Sequence, residues 1–220
     1  MTKYKIAEIF TSIQGEGLYT GTPVTFLRFA GCNLKCPWCD TDHSVKLELT
    51  AEEIREELER LYRLSGIRRV VCTGGEPLLQ MDITLLKKMS GFHIHVETNG
   101  TILPKFPMYM VEHWTVSPKK GSPWKLKEGN ELKIVYEGQK NLETVRHANR
   151  RSVAPDRGED SYDRGFLLFY LQPKFGSDMS SSICNKEETD KNIKEVVNLL
   201  TTELPLWKLS LQTHKLIGIR

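Results

Sequence analysis

Strands alternate with helices along most of this chain, and this alternation constrains its fold more than any other feature. Short apolar runs typical of strands lie at 4–13, 23–29, 70–72, 93–96, 114–116, 132–136, 166–171 and 206–211. Helical periodicity indicates helices at 50–65, about 78–89, near 141–151 and about 186–203. The order predicts an α/β fold with mostly parallel strands joined by helical crossovers.

The helix at 50–65 carries the clearest end signals. Thr50 is a good N-cap, and Glu53 stands three residues later, as a capping box requires. Gly66 follows the last turn, where a C-terminal cap glycine belongs. The apolar stripe at helical spacing consists of Ile54, Leu58, Leu61 and Leu64.

Polar or glycine-rich clusters repeatedly follow the predicted strands. They lie at 73–76, 97–100, 117–119, 172 and 212–214. In parallel α/β sheets, ligands bind outside the carboxyl ends of the strands. The clusters therefore predict one site at that edge of the sheet. The segment 152–165 is polar and is predicted to be a solvated surface loop.

Length and charge limit the function classes. With 220 residues, 39% of them hydrophobic, the chain can bury one sizeable core, and we expect one domain over 1–220. A formal net charge of +3 gives no electrostatic case for nucleic acid or an anionic membrane. No apolar run approaches a membrane span, and the N-terminus shows no signal peptide. We therefore expect a cytoplasmic protein.

Three of the five cysteines fall within eight residues, at Cys32, Cys36 and Cys39. An odd count in a chain of this length is not a disulfide framework. The C-x3-C-x2-C spacing favours an iron–sulfur cluster with three protein ligands, which leaves one iron open to a further ligand. Two alternatives are a zinc site completed by His43 and three unrelated reduced thiols.

The cysteine motif resembles that of the radical S-adenosylmethionine (SAM) superfamily, whose signature is C-x3-C-x-aromatic-C with Trp38 as the aromatic residue. The turn Gly74-Gly75-Glu76-Pro77 resembles the superfamily's glycine-rich motif. The resemblance implies a trimmed, partial (β/α)6-type barrel with its cluster loop at 31–43. It also implies a [4Fe–4S] cluster that binds SAM and yields a 5′-deoxyadenosyl radical, which abstracts hydrogen from the substrate.

Several further stretches resemble one family within that superfamily, the 7-carboxy-7-deazaguanine synthases. They lie at 8–17, 26–34, 39–41, 97–100, 116–119 and 212–215. The resemblance implies conversion of 6-carboxy-5,6,7,8-tetrahydropterin to 7-carboxy-7-deazaguanine with loss of ammonia, for deazapurines such as queuosine. It also implies a homodimer and an electron donor such as flavodoxin or ferredoxin.

Site roles follow from the resemblance, residue by residue. Thr41 is the implied Mg²⁺ ligand, and Arg28 is expected to pair with the substrate carboxylate through its guanidinium. The implied SAM contacts are Trp38, Gly74, Gly75, Glu76, Asn99, Ser117, Lys119 and Gln172, with Glu76 facing the ammonium. The implied substrate contacts are Gln14, Glu16, Arg28, Glu97, Gln212 and His214.

Three other functions share some of these motifs. A glycyl-radical activating enzyme would share the cysteine and glycine motifs but not the stretches at 14–17 and 212–215. A zinc-stabilised binding module would bind one zinc ion per chain. A ferredoxin would need a fourth cysteine ligand, and neither Cys72 nor Cys184 has suitable spacing. Cys72 is expected to be a buried thiol, Cys184 has no evident role, and His93 and His95 are expected to be structural.

Overall fold

The structure, a computed structural model, describes residues 2–138, 141–152, 165–177 and 184–219. Eleven strands occur in these ranges: β1 Lys3–Ile13, β2 Pro23–Phe29, β3 Leu47–Thr50, β4 Arg69–Gly74, β5 His93–Thr98, β6 His113–Val116, β7 Gly129–Tyr136, β8 Phe166–Pro173, β9 Gly176–Ser177, β10 Cys184–Asn185 and β11 Lys208–Leu209. The α-helices described are α1 Ala51–Ser65, α2 Ile83–Lys88, α3 Leu142–Ser152, α4 Lys186–Thr202 and α5 Thr213–Leu216.

Nine of the strands form one sheet, in the order β11-β8-β7-β6-β5-β4-β2-β1-β3. The seven strands from β11 to β2 run parallel, whereas β1 is antiparallel to β2 and β3 is antiparallel to β1. The short strands β9 and β10 pair with each other. The predicted α/β class with mostly parallel strands is confirmed.

Fewer α-helices connect the parallel strands than the alternation of strands and helices predicted. The β5–β6 connection contains only a 3₁₀ turn at Met108–Met110, and no α-helix joins β6 to β7. The predicted helix at 78–89 is wrong in its extent, because a 3₁₀ turn at Pro77–Leu79 precedes α2. Asp82 accepts a hydrogen bond from the Leu85 backbone N–H at 2.9 Å and so begins a new helix there.

Helix α1 begins and ends as the sequence predicted. The Thr50 hydroxyl accepts from the Glu53 N–H at 3.2 Å, and the Glu53 carboxylate accepts from the Thr50 N–H at 2.7 Å. Gly66 adopts a left-handed conformation with φ 72°, which suits a residue without a Cβ. Ile54 and Leu58 are buried, but Leu64 at the end of the predicted stripe is exposed.

Replacing Thr50 with alanine should lower the free energy of unfolding by about 1 kcal/mol, because the first turn of α1 loses a capping hydrogen bond. Urea denaturation would measure this change. Thr202→Ala is the matched control. Thr202 is exposed and its hydroxyl donates to the Asn198 carbonyl within α4, so a change within about 0.5 kcal/mol is expected. Equal losses in the two variants would contradict the capping argument.

The two faces of the sheet differ in chemistry, and this difference creates the site. Along β7, Leu132 and Ile134 belong to the hydrophobic core beneath the helices, whereas Lys133 lies on the opposite face. Along β5, Val96 belongs to the core and Glu97 lies on the opposite face. Side chains alternate along a strand, so each strand contributes apolar residues to the core and polar ones to a concave inner face.

The amino ends of the central strands are closed by the loop that follows β1. The Tyr19 ring packs against His95 and His113, with centroid distances of 4.5 and 5.0 Å. Arg69 lies over the same tyrosine ring at 4.7 Å. Burial lowers the pKa of His95 to about 3, so this side chain stays neutral and fills the inner face as a structural residue.

Several other predictions also differ from the structure or lie outside it. The predicted last strand at 206–211 shortens to β11, and the polar cluster after it forms α5. Strand β3, at the opposite edge of the sheet from β11, was not predicted. Most of the predicted surface loop at 152–165 lies outside the described residues. Within the described ranges, no helix is long and apolar enough to cross a membrane.

Candidate active site

A cavity of about 590 Å³ opens at the carboxyl ends of the parallel strands. All the residues predicted for the site line it except Glu76: Gln14, Glu16, Arg28, Cys32, Cys36, Trp38, Cys39, Thr41, Gly74, Gly75, Glu97, Asn99, Ser117, Lys119, Gln172, Gln212 and His214. These residues come from five strand ends, two loops and the C-terminal segment. The fold therefore brings together residues that are up to 200 positions apart.

The cysteine loop follows β2 and presents its three thiols to this cavity. Cys32 and Cys36 are partly buried, Cys39 is exposed, and none forms a disulfide. The Cys32 sulfur accepts from the Leu34 N–H at 3.4 Å and lies 4.0 Å from the Asn99 side-chain nitrogen. Burial raises the pKa of the Cys32 thiol, so an ionised thiolate there needs a positive partner such as a metal cluster.

The donor set fits a cluster better than a single ion. Within the described ranges, no three His, Cys, Asp or Glu side chains are arranged to hold one metal ion, as a zinc site with His43 would require. In an iron–sulfur cluster, each thiolate binds a different iron atom. Cys72 is fully buried in the core and does not line the cavity. Cys32, Cys36 and Cys39 thus fit a [4Fe–4S] cluster with one open iron.

The glycine turn after β4 lies against the start of the cysteine loop. A Cβ on Gly75 would lie 1.9 Å from the Gly31 carbonyl oxygen, and one on Gly74 would lie 2.2 Å from the Phe29 carbonyl oxygen. Gly74 also has φ +134°, a region that side chains rarely adopt. The two glycines therefore let two backbones meet beside the thiols, where the Gly75 N–H donates to the Phe29 carbonyl and the Glu76 N–H to the Gly31 carbonyl.

Glu76 is the one predicted SAM contact whose side chain does not line the cavity. Its side chain is completely buried, and its carboxylate accepts hydrogen bonds from the Leu78 N–H, the Thr98 hydroxyl and the Asn99 N–H. Burial raises the pKa of Glu76, although these three donors act in the opposite direction. Glu76 instead holds the turn after β5, and thereby Asn99, in place.

Asn99 is fixed on several sides. Its amide nitrogen donates to the Asn33 side-chain oxygen at 3.1 Å, and its oxygen accepts from the Thr101 N–H at 2.9 Å. The Asn33 amide in turn donates to the Thr101 hydroxyl at 2.7 Å. This network ties the cysteine loop to the end of β5.

Lys119 supplies a cation on the side of the cavity that carries the predicted SAM contacts. It donates to the Ser117 hydroxyl at 2.7 Å and lies 5.6 Å from the centroid of the Trp38 ring. Burial lowers the pKa of Lys119, and Lys133 acts in the same direction. Gln172, at the end of β8, accepts from the Ser210 hydroxyl at 3.1 Å.

Glu16 forms the centre of a buried ion-pair network on the inner face. One carboxylate oxygen pairs with the Lys133 ammonium, and the other accepts from the Gln212 amide at 2.9 Å. Burial alone would raise the pKa of Glu16, but Lys133 and these hydrogen bonds lower it to about 2. The carboxylate is therefore ionised throughout the physiological pH range.

A second carboxylate lies close to the first. Glu97 accepts from the Gln14 amide at 2.9 Å and from the Thr73 hydroxyl at 3.2 Å. The Gln14 side-chain oxygen accepts from the Glu16 N–H at 3.2 Å. Gln14, Glu16 and Glu97 therefore form one array of donors and acceptors suited to a flat heterocycle with N–H and C=O groups along its edge.

Arg28 provides a cation among apolar side chains. Its Nε donates to the Glu8 carboxylate at 2.8 Å, and its guanidinium lies 5.8 Å from the centroid of the Phe10 ring. Phe10 stacks on Phe26 with centroids 5.2 Å apart. Burial lowers the pKa of Arg28, and Glu97 opposes this shift. Among the described residues, Glu8 is its only hydrogen-bond partner, so the remaining guanidinium donors can serve a ligand.

The C-terminal segment forms one rim of the cavity. The Thr213 N–H donates to the Gly15 carbonyl at 2.9 Å. A Cβ on Gly15 would lie 2.0 Å from His214 Nδ1, so only glycine permits this contact. Burial lowers the pKa of His214, which Glu16 opposes. Lys215 pairs with Asp40 in the cysteine loop, and the Thr41 hydroxyl lies 3.4 Å from the other Asp40 oxygen.

The sequence reasoning missed some residues that line or organise this cavity. The main ones are Glu8, Asn33, Thr73, Lys133 and Lys215. Lys133 had a detectable signal, because it is the one charged residue in the apolar run Leu132–Tyr136. A lysine within a strand that is buried on both faces needs an anionic partner.

Comparisons with known proteins agree with this arrangement. The family model of the radical SAM superfamily matches residues 27–138. A protein of Bacteroides thetaiotaomicron named 7-carboxy-7-deazaguanine synthase is 37% identical over 98% of each chain. One of the same name from Bradyrhizobium diazoefficiens is 36% identical over 99% of each chain.

A solved structure has a similar fold. It is the crystal structure of QueE from Escherichia coli, which superimposes with a TM-score of 0.68 at 26% sequence identity. The match covers 96% of this chain and 95% of that one. The strand connections without α-helices therefore belong to a fold that this solved structure shares over nearly its whole length.

Proposed function

This chain belongs to the family of 7-carboxy-7-deazaguanine synthases within the radical SAM superfamily, and from that premise we propose how its cavity works. The reaction is the conversion of 6-carboxy-5,6,7,8-tetrahydropterin to 7-carboxy-7-deazaguanine with loss of ammonia, in the biosynthesis of deazapurines such as queuosine. One observation carries the proposal: a single cavity is lined by the three cysteines, the glycine turn and an array of groups suited to a pterin.

The cofactors occupy the side of the cavity nearest the cysteine loop. Cys32, Cys36 and Cys39 hold the [4Fe–4S] cluster, and SAM lies against Gly74, Gly75 and the five side chains Trp38, Asn99, Ser117, Lys119 and Gln172. When bound, they supply radical chemistry that begins with removal of a hydrogen atom from the substrate. The protein orients the reactants and excludes water, and Glu76 acts by fixing Asn99.

The substrate occupies the side near the start of the chain. Arg28 pairs with its carboxylate, since a guanidinium offers two parallel N–H donors to two oxygens. Gln14, Glu16 and Glu97 receive and donate hydrogen bonds along the amine and amide edge of the pterin. Such an array rejects wrong ligands, because they would leave buried polar groups unpaired. Gln212 and His214 complete the contacts from the C-terminal rim.

The resemblance to the family assigns the Thr41 hydroxyl as the protein ligand of a Mg²⁺ ion. The neighbouring Asp40 carboxylate pairs with Lys215. Mg²⁺ commonly keeps several waters and takes few protein ligands, so substrate oxygens and waters complete its shell.

Two partners complete the proposal. A small redox protein such as flavodoxin or ferredoxin donates the electron, and two copies of the chain form a homodimer. Both rest on the resemblance of the chain to its family.

The direct test is product formation. We expect protein that is purified without oxygen and reconstituted with iron and sulfide to be brown. With a strong reductant, Mg²⁺, SAM and 6-carboxytetrahydropterin, mass spectrometry should detect 7-carboxy-7-deazaguanine and 5′-deoxyadenosine. Brown protein that cleaves SAM without making the deazaguanine would refute the assignment of 6-carboxytetrahydropterin as the substrate. Colourless protein with one zinc ion would refute the cluster as well.

A further inference from the structure

Lys133 has no place in the motifs that identify the family, yet it is the cation most deeply embedded in the cavity wall. Its side chain is only 6% exposed. It lies on β7 between the core residues Leu132 and Ile134, and its ammonium pairs with Glu16. A buried lysine is tolerated only with compensating negative charge.

Glu16 depends on Lys133 for charge compensation, because its other side-chain partner is the neutral Gln212 amide. It lies in the loop after β1, outside any strand. Glu97, by contrast, lies within β5 and accepts hydrogen bonds from Gln14 and Thr73. Among the residues that the structure describes, Lys133 is the only cation that forms an ion pair with Glu16.

The surrounding loop is already fixed by its backbone. The Gly17 N–H donates to the Ser210 hydroxyl at 3.0 Å, and the Leu18 N–H donates to the Glu131 carboxylate at 3.0 Å. The loop therefore has anchors that do not involve Lys133. Lys133 instead acts on side chains: it directs the Glu16 carboxylate, and its charge also acts on Glu97 and Glu131.

We propose that Lys133 is a positioning residue that sets specificity: it holds the Glu16 carboxylate ionised and aimed at the N–H edge of the pterin ring. The inference rests on the proposed function, because it needs Glu16 to contact the substrate. An ionised, fixed carboxylate accepts from neighbouring N–H groups and so selects a ring with a 2-amino-4-oxo pyrimidine edge. The chemical class selected is a pterin or a deazaguanine.

The proposal predicts a change in pH dependence. Besides Lys133, the charged and titratable groups that act on or face Glu16 are Arg28, Glu97, Lys119, Glu131 and His214. Burial is the largest influence on the pKa of Glu16 and raises it, whereas Lys133 lowers it, so removing Lys133 should raise this pKa relative to the parent. A raised pKa means that Glu16 becomes protonated as the pH falls. Affinity for the N–H edge should then decline toward acid pH more in the variant than in the parent, in which Glu16 stays ionised.

The experiment measures equilibrium binding of 7-carboxy-7-deazaguanine to the reconstituted, SAM-loaded protein by calorimetry between pH 5.5 and 8.5. This ligand is a stable probe that carries the same pyrimidine edge. Lys133→Met should weaken binding by about 30-fold or more at neutral pH, with a steeper acid decline. Lys133→Arg should recover most of the affinity, and Lys120→Met, at an exposed site, should leave it unchanged.

A double-mutant cycle separates positioning from general damage. In a Glu16→Gln background, Lys133→Met should weaken binding by less than about 3-fold, because the group it positions is already gone. The double variant also removes both charges, which keeps the test available if Lys133→Met alone does not fold. An equal loss in both backgrounds, or parental affinity in Lys133→Met, would overturn the proposal.

The parent protein distinguishes failure of this inference from failure of the proposed function. A parent that makes and binds the deazaguanine, together with an unaffected Lys133→Met, refutes only the role of Lys133. A parent that neither makes nor binds it refutes the proposed function, and the role of Lys133 falls with it.

Discussion

Cys36→Ala should abolish formation of 7-carboxy-7-deazaguanine and lower bound iron far below about four atoms per chain after reconstitution. Cys36 is one of only three thiols that line the cavity among the described residues. Removing it leaves two protein ligands, which are too few to hold a cluster with one open iron. Iron analysis and the visible absorption of the protein measure the loss independently of catalysis.

Cys72→Ala is the matched control, because it removes the same atom types from the core instead of the cavity. Cys72 is fully buried on β4, and burial raises the pKa of its thiol, so it is not available as a thiolate. We expect full iron content and activity in this variant, with stability lower by about 1 kcal/mol. Cys36→Ala protein with parental iron content would contradict the ligand assignment.

Arg28→Met should lower kcat/KM by about 100-fold or more, because the substrate carboxylate would lose a charge-assisted, two-point hydrogen bond in a partly buried site. SAM binding should change far less, since Arg28 is not among the predicted SAM contacts. Arg28→Lys should recover only part of the activity, because an ammonium cannot form the planar two-donor contact.

A ligand-side control isolates the carboxylate. Unsubstituted 7-deazaguanine has the same pyrimidine edge without the carboxylate, so its affinity should be nearly equal for the parent and Arg28→Met. The affinity for 7-carboxy-7-deazaguanine should fall in the variant alone. If the variant discriminates between the two ligands as strongly as the parent does, Arg28 does not bind the carboxylate. Glu8→Gln removes the charge that pairs with Arg28. Its effect on the affinity for 7-carboxy-7-deazaguanine shows whether Arg28 depends on that ion pair.

Local signals and parallel topology made much of the fold predictable. The ends of α1 depend on groups within four residues of each other, so Thr50, Glu53 and Gly66 specify them without tertiary information. Parallel strands must place their carboxyl ends on one edge of the sheet. The polar clusters at those ends therefore had to converge, and the cavity shows that they do.

The remaining errors arose where tertiary contacts outweigh local sequence. Two of the partners of Glu76, Thr98 and Asn99, lie at the end of β5, so sequence alone did not show that its carboxylate is buried. Lys133 meets Glu16 across 117 positions, and the apolar residues around it indicated only a strand. Strand β3 has few sequence signals of its own and exists because β1 offers it an edge.

The two edges of the sheet have a consequence for self-association. Strand β3 has four residues and includes Glu48, whereas β11 has two residues, both exposed. Such short edge strands offer few free backbone groups to another chain. A charged side chain on an edge strand also disfavours intermolecular strand addition. Any quaternary assembly of this protein should therefore form through helical or loop surfaces. Its native state should have little tendency toward amyloid-like stacking through these two edge strands.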